Sequence, residues 1–256
     1  MNKKLAGVIF VHNAISQDYC YKQAIQSLLS FCDHVFILDA GSTDGTMQKI
    51  KEYVPRETIT VILTTNDTWE AQKGKEKLSY FTNMAIESAQ RAGYEYVFSL
   101  QADEILHEKS YAAVRKAVEE GEEAYAVSRI NLWGSPFHKL IVPQEKKPCS
   151  TTIVRLAKSS YRAYDDAESL NSRASLKFHD EIRIYHMGFV RKREVMVNKI
   201  KHMQEKVFGM DSDPKLKGMV IFDPWKWFSK EEDVELINEP LPEVIKGWAE
   251  ARVYND

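Results

Sequence analysis

Two short segments bring together the side chains from which a nucleotide-phosphate site could be built. The first is Asp39-Ala40-Gly41-Ser42-Thr43-Asp44-Gly45-Thr46. Its glycines permit a tight turn and close backbone approach to a ligand. Asp44, Ser42 or Thr43 can cap a following helix. Asp39 can accept hydrogen bonds from a base imide or from ribose hydroxyls. The segment is not a P-loop, because the Gly-Lys-Ser/Thr ending is missing, and it is not a G-x-G-x-x-G fingerprint. Taken alone it is equally a strand–turn–helix connection with ordinary turn chemistry.

The second segment is Gln101-Ala102-Asp103-Glu104. Carboxylates here suggest a divalent cation, magnesium or manganese, held through one or two acids and the oxygens of a diphosphate. Such a cation neutralises a departing diphosphate. The competing reading is a solvated acidic loop that opens the next helix, where the helix dipole favours negative charge.

Elements must bring these segments to one place, and the pattern of apolar residues supplies them. Val8 to Val11, His34 to Asp39, Thr58 to Leu63 and Tyr96 to Leu100 read as strands. Tyr21 to Phe31, a helix beginning at Thr46 to Tyr53, and Leu78 to Ala92 read as the helices between them. Right-handed crossovers then give a parallel core with loops gathered at the carboxyl ends of the strands, so Asp39 and Asp103 share an edge. Beyond Asp103, Tyr111 to Glu120 is a helix, Ala124 to Leu132 a strand, and Ser135 to Ser150, with three prolines and three lysines, a loop. Thr152 to Leu156 and Ile182 to Tyr185 extend the sheet as mixed strands, and Glu194 to Phe208 is an amphipathic helix. The tail from Lys215 has no clear period.

The 256 residues, 44% hydrophobic and 28% charged, describe an ordinary globular chain. A formal net charge of −2 gives no overall field favouring nucleic acid or anionic lipid, so any phosphate must be held locally. Cys20, Cys32 and Cys149 have no metal-ligand spacing, and their odd number argues against a disulfide framework. A reducing, cytoplasmic setting is expected. The apolar run from Leu5 to Val11 is too short for a signal peptide and lacks a small-residue cleavage site. Nothing approaches the roughly 20 apolar residues of a membrane helix, so membrane association is not indicated.

Together, the two acidic segments resemble family-2 glycosyltransferases, whose GT-A fold carries a D-x-G-S-x-D-G-T turn and a later D-x-D-type metal motif. Val97 to Glu108 is similar to a subgroup with an L-Q-A-D-E motif. The resemblance extends over nearly the whole chain. It implies an α/β fold with a Rossmann-like central mixed, mostly parallel sheet flanked by helices. It also implies a single domain over 1–256: a nucleotide-sugar-binding half (1–110), then an acceptor half (111–256) with a C-terminal helical segment. On it, Val11, His12 and Asn13 flank the nucleotide base. Asp39, Gly41, Ser42 and Asp44 form the donor turn, Trp69 sits in the exit loop of the third strand (Thr65 to Glu70), and Asn83 lies on the helix before the metal motif. Gln101 and Ala102 line the diphosphate, and Asp103 carries most of the metal contact, because Gln101 stands where relatives have an acid. Ala40 likewise replaces a second Asp of the turn. Trp133-Gly134-Ser135 matches an aromatic-Gly-Ser step, and Ile184-Tyr185-His186-Met187-Gly188 an I-Y-H-x-G strand end, with Arg191 and Lys199 beyond it.

The resemblance implies an inverting transfer of a sugar from a UDP- or GDP-sugar donor to a carbohydrate or glycan acceptor hydroxyl. That chemistry needs a base and charge stabilisation for the diphosphate. Asp166, in the Asp166-Ala167 pair, is the expected base, with Glu168, Asp165 and Asp180 as alternatives. His186 is a second metal ligand, a diphosphate contact, or a hydrogen-bonded core histidine. Arg191 could hold the diphosphate, whereas Lys192 and Arg193 suit a solvated helix start. The aromatic stretch from Phe222 to Phe228 suits C-terminal packing better than an acceptor platform. Two other classes stay open: a sugar nucleotidyltransferase, disfavoured because residues 12–17 lack its glycine- and base-rich loop, and a non-catalytic nucleotide- or carbohydrate-binding protein.

Overall fold

The computed structural model describes residues 3–54, 56–74, 76–141, 150–170, 176–202 and 233–252. Cys149 and the aromatic stretch from Phe222 to Phe228 lie outside them, as do the second half of the expected loop before Ser150 and the expected helix beyond His202.

The chain runs β1 (Leu5–Val11), α1 (Tyr21–Leu29), β2 (His34–Asp39), α2 (Thr46–Tyr53), β3 (Ile59–Leu63), α3 (Asn66–Ala71), α4 (Glu76–Arg91), β4 (Tyr96–Ser99) and β5 (Glu104–Leu106). It continues through α5 (Tyr111–Glu120), β6 (Ala124–Trp133), β7 (Ser135–Leu140), β8 (Thr152–Lys158), β9 (Lys177–Phe189), α6 (Arg193–His202), β10 (Val234–Leu236) and α7 (Lys246–Glu250). The strands form one sheet in the order β10-β7-β6-β8-β4-β1-β2-β3, with β9 on β6 and β5 on β9.

The quartet β4-β1-β2-β3 is parallel, as expected of strands joined by crossover helices. β9 runs parallel to β6, and β8, β7, β5 and β10 add antiparallel pairings. The expected mixed sheet with flanking helices is therefore present. Alternation along β1 explains its two covers. Leu5, Ile9 and Val11 pack under α1, whose Ala24, Ile25 and Leu28 are fully buried. Ala6 and Val8 pack on the other face with Phe81, Ala85, Ile86 and Ala89 of α4. Among the described residues no helix is long and apolar enough to cross a membrane.

Three expectations change. The exit loop after β3 is a helix, α3, because Thr65 caps it, its hydroxyl oxygen accepting from Thr68 N at 3.2 Å. The start of the loop from Ser135 is a strand, β7. Pro136, read as a breaker, falls beside the register shift that follows Leu132, where a missing N–H costs the ladder least. After Asp103 the chain forms β5 rather than a helix start, which turns Glu104 inward.

Candidate active site

Parallel pairing of β1 with β2 sets Val11 opposite Asp39, so the residues that follow each strand emerge side by side. Asn13, at φ 48°, closes the gap. Its Oδ1 accepts from Thr43 N at 2.8 Å, and its own N–H donates to Ser42 Oγ at 2.9 Å. Asp39 is nearly buried and accepts from Ser42 N at 3.2 Å. Gly41, at φ +78°, lies against the backbone of Thr65 and Asn66 so closely that a Cβ would sit 2.3 Å from it. Asp44 spends its carboxylate inside the turn, accepting from Thr46 N at 3.0 Å and from Ser16 N at 2.8 Å.

His12 donates from Nδ1 to Ala40 O at 3.0 Å and accepts at Nε2 from the Asn13 amide at 3.2 Å. Burial outweighs the hydrogen bond to Ala40 and pulls its pKa down to about 4, so the ring is neutral. It stacks on Trp69 with 3.8 Å between ring centroids. Trp69 is 3% exposed beneath it, with the Lys77 ammonium 4.1 Å from its ring centroid, and its Nε1 has no hydrogen-bond partner. Thus His12, not Trp69, faces outward from this stack. Both ends of the Asn83 amide are engaged: it donates to Ala163 O at 3.0 Å and accepts from Ala163 N at 2.7 Å. It anchors the loop that carries Asp166.

At the next strand end, β5 pairs with β9 so that Glu104 lies opposite His186, and Met187 N donates to Asp103 O at 2.7 Å. This brings Asp103 and His186 together. Asp103 Oδ2 lies 3.1 Å from Lys199 Nζ, 3.3 Å from Arg191 Nη2 and 3.8 Å from His186 Nε2. Burial works to raise the Asp103 pKa, but the Lys199 ammonium and the Arg191 guanidinium hold it well below the usual carboxylate range. Arg191 is held in turn by Gln17 O at 2.9 Å and lies over the Tyr19 ring. Gln101 and Ala102 contribute mainly backbone here: Gln101 N donates to Glu104 Oε2 at 2.9 Å. Lys192 is exposed, consistent with a solvated helix start.

The tautomer of His186 follows from its neighbours. The Asn131 amide donates to Ser150 O at 3.4 Å, which turns its Oδ1 toward His186 Nδ1 at 2.9 Å. Nδ1 therefore carries the proton, and the lone pair of Nε2 looks toward the Asp103 carboxylate. Burial also drives the imidazole pKa well below its ordinary value, favouring the neutral ring. A Cβ on Gly188 would lie 2.3 Å from Nε2, so the missing side chain leaves that face open. A carboxylate oxygen and a neutral imidazole nitrogen, with the imidazole oriented by an amide, make a donor pair that suits a divalent cation. Lys199 and Arg191 hold the positive charge at that place. Among the described residues no group of three or more His, Cys, Asp or Glu could hold a metal, so further ligands would have to come from a diphosphate and water.

The third component is the turn from Tyr164 to Glu168. Asp165 (φ 49°) and Ala167 (φ 58°) flank Asp166 in a conformation that residues with a Cβ seldom adopt. Asp166 accepts from Glu168 N at 3.2 Å. Burial and the Glu168 charge push its pKa up. Of the alternative bases, Glu168 is committed to Arg129 and to Ser150, whose N and Oγ each donate at 2.9 Å. Asp180 is exposed in the irregular middle of β9. Beside Asp166 opens a cavity of about 340 Å³, with Ser150, Thr152, Tyr164, Glu168 and Ser169 in its wall. Arg129 and Arg155, which no motif in the sequence singles out, are buried cations that interrupt mostly apolar strands. That interruption of β6 and β8 was their only signal.

No described protein family matches the chain, and no curated protein does. Among solved structures, S. aureus TarS residues 1–349 share 14% identity at a TM-score of 0.47, over 79% of this chain and 66% of that one. The same protein in complex with UDP-GlcNAc shares 15% identity at a TM-score of 0.47, over 79% of this chain and 67% of that one. In complex with UDP the figures are 17% and 0.41, over 61% and 47%. This chain thus spans about two thirds or less of the length of these neighbours.

Proposed function

We propose that this chain is a glycosyltransferase that moves a sugar from a nucleoside-diphosphate donor, UDP- or GDP-linked, to a carbohydrate hydroxyl with inversion. One observation carries the reading. The Asp39 turn and the Asp103–His186–Arg191–Lys199 group lie at the carboxyl ends of the parallel strands, where open α/β sheets bind ligands, and Arg155 ties the Asp166 turn to the same strand end by bonding both Ala167 O and Glu104. Asp39 and the backbone of residues 12–13 would receive the nucleoside. Arg191 and Lys199 would turn from Asp103 to the diphosphate, where paired cations stabilise the charge that develops on the leaving group. A divalent cation, magnesium or manganese, held by Asp103 and His186, would neutralise that same group. Asp166 would accept the proton of the attacking hydroxyl. Its raised pKa suits a base better than a carboxylate locked in an ion pair such as Glu168.

A second reading, a metal-independent binding protein, draws support from the two cations already paired with Asp103. Isothermal titration with UDP, GDP and their sugars, with and without manganese, separates the two. The transferase reading expects metal-dependent binding, slow donor hydrolysis and loss of both in Asp103→Ala. Binding indifferent to metal and to that substitution would remove the metal role. A chain that binds these nucleotides yet neither hydrolyses nor transfers would favour the second reading.

A further inference from the structure

Between the donor and acceptor sides of the site lie four charged side chains that the proposed chemistry does not use. Glu104 on β5 is fully buried, and Arg129 on β6 and Arg155 on β8 are almost so. Glu104 Oε1 accepts from Arg129 Nη1 at 3.2 Å and from Arg155 Nη2 at 2.7 Å. Arg129 then reaches Glu168 Oε1 with Nη2 and Ser150 O with Nε, the latter at 2.9 Å. Arg155 donates from Nη1 to Ala167 O at 2.8 Å. Two carboxylates and two guanidiniums leave the set neutral.

Buried ion networks are weak sources of stability, because desolvation offsets the attraction and apolar residues of the same volume often do as well. What this network supplies is geometry. Glu104, the first residue of β5, follows Asp103 directly at the end of a turn in which Glu104 N donates to Gln101 O at 3.0 Å; Asp103 meets Lys199 and Arg191, whereas Glu104 meets Arg129 and Arg155. One strand end therefore presents Asp103 to the donor side and Glu104 to the interior. From Glu104 the two arginines grip the residues on the C-terminal side of Asp166, namely Ala167 and Glu168. The two positive-φ residues flanking Asp166 need such anchoring to persist.

We propose that Glu104, Arg129, Arg155 and Glu168 are positioning residues, which fix the Asp166 turn relative to Asp103 and so aim the Asp166 carboxylate at the acceptor hydroxyl. This inference rests on the reading of Asp166 as base, and the test is arranged to tell the two apart. Wild type, Glu104→Gln, Asp166→Asn and the double variant are compared, all as full chains. Nucleoside diphosphate release from UDP-glucose, UDP-N-acetylglucosamine and GDP-mannose is measured at saturating donor, and donor affinity by titration.

Misplacement of a reacting group by about 1 Å costs on the order of 100-fold in rate. Glu104→Gln should therefore lower turnover about 10- to 100-fold while donor affinity changes by less than about threefold. The double variant should be no slower than Asp166→Asn alone, because residues acting through one group are non-additive. Wild-type turnover in Glu104→Gln, or effects that multiply in the double variant, overturns the positioning role. Full activity in Asp166→Asn instead overturns the base assignment. If Glu104→Gln shows no cooperative thermal transition, Ser150→Ala takes its place in the cycle. It removes only the hydroxyl bond to Glu168 Oε2, and about a threefold loss, absent on the Asp166→Asn background, is expected.

Discussion

Two glycines of the donor turn share one backbone conformation but differ in surroundings, which allows a quantitative test of how the turn is packed. Gly41 has φ +78° and Gly45 φ +87°. Alanine in that region costs about 1–2 kcal/mol. At Gly45 little else is added, because the nearest atom to a new Cβ is Ile15 Cδ1 at 4.0 Å. At Gly41 the Cβ would lie 2.3 Å from Asn66 N and Thr65 C and 2.5 Å from Thr65 O, whereas ordinary contact begins near 3.4 Å. Those are backbone atoms at the start of α3, so the whole segment must retreat by about 1 Å, and overpacking of that kind costs about 1–3 kcal/mol more. Gly41→Ala should therefore destabilise by about 2–5 kcal/mol and Gly45→Ala by about 1–2 kcal/mol. Urea unfolding followed by tryptophan fluorescence, with Trp69 in the same helix, measures both. In a chain of this length a 1–3 kcal/mol difference separates the two melting temperatures by roughly 2–12 °C. Equal shifts for the two variants would refute the close approach of the turn to residues 65–66, and with it the geometry assigned to the donor side.

Asp166→Asn should lower turnover to a small residual rate while leaving donor binding intact, and should also stabilise the fold at neutral pH. The folded-state pKa of Asp166 is raised, so its ionised form costs stability as pH climbs through that value. Thermal melts should show the gain shrinking to nothing as pH falls below about 3.9, and a variant less stable than wild type at pH 7 would count against a desolvated carboxylate. His12 has the opposite sense, since its folded pKa near 4 lies below the ordinary 6.5. Stability should therefore decline as pH falls from about 6.5 to about 4, and His12→Gln should flatten that decline; an unchanged profile would place His12 in water. Asn131→Leu removes the partner that sets the His186 tautomer, and electron paramagnetic resonance should show manganese affinity reduced about 10- to 100-fold. Undiminished affinity would take His186 out of the metal site.

Local sequence determined the elements that local forces dominate. β2, α2 and α5 lie where the apolar pattern places them, because each carries a strong apolar face; the N-cap of α2 is Gly45, not one of the side chains expected to cap it. The carboxyl-end placement of Asp39 and Asp103 followed from the same reasoning, since crossover connections leave few ways to order the strands. Long-range pairing decided the rest. Pro136 and the lysine-rich composition after it concealed β7, whose ladder depends on β6 and β10. The acids of the second segment looked alike in sequence, yet β5 pairing sends Asp103 to Lys199 and Arg191 and Glu104 to two buried arginines. Trp69 and Asn83, expected at the ligand, are taken up by a ring stack and a loop anchor. A charge reveals its partner only when strands distant in sequence are laid side by side, so the chemistry-bearing residue types were legible in the chain, while their pairing belonged to the tertiary structure.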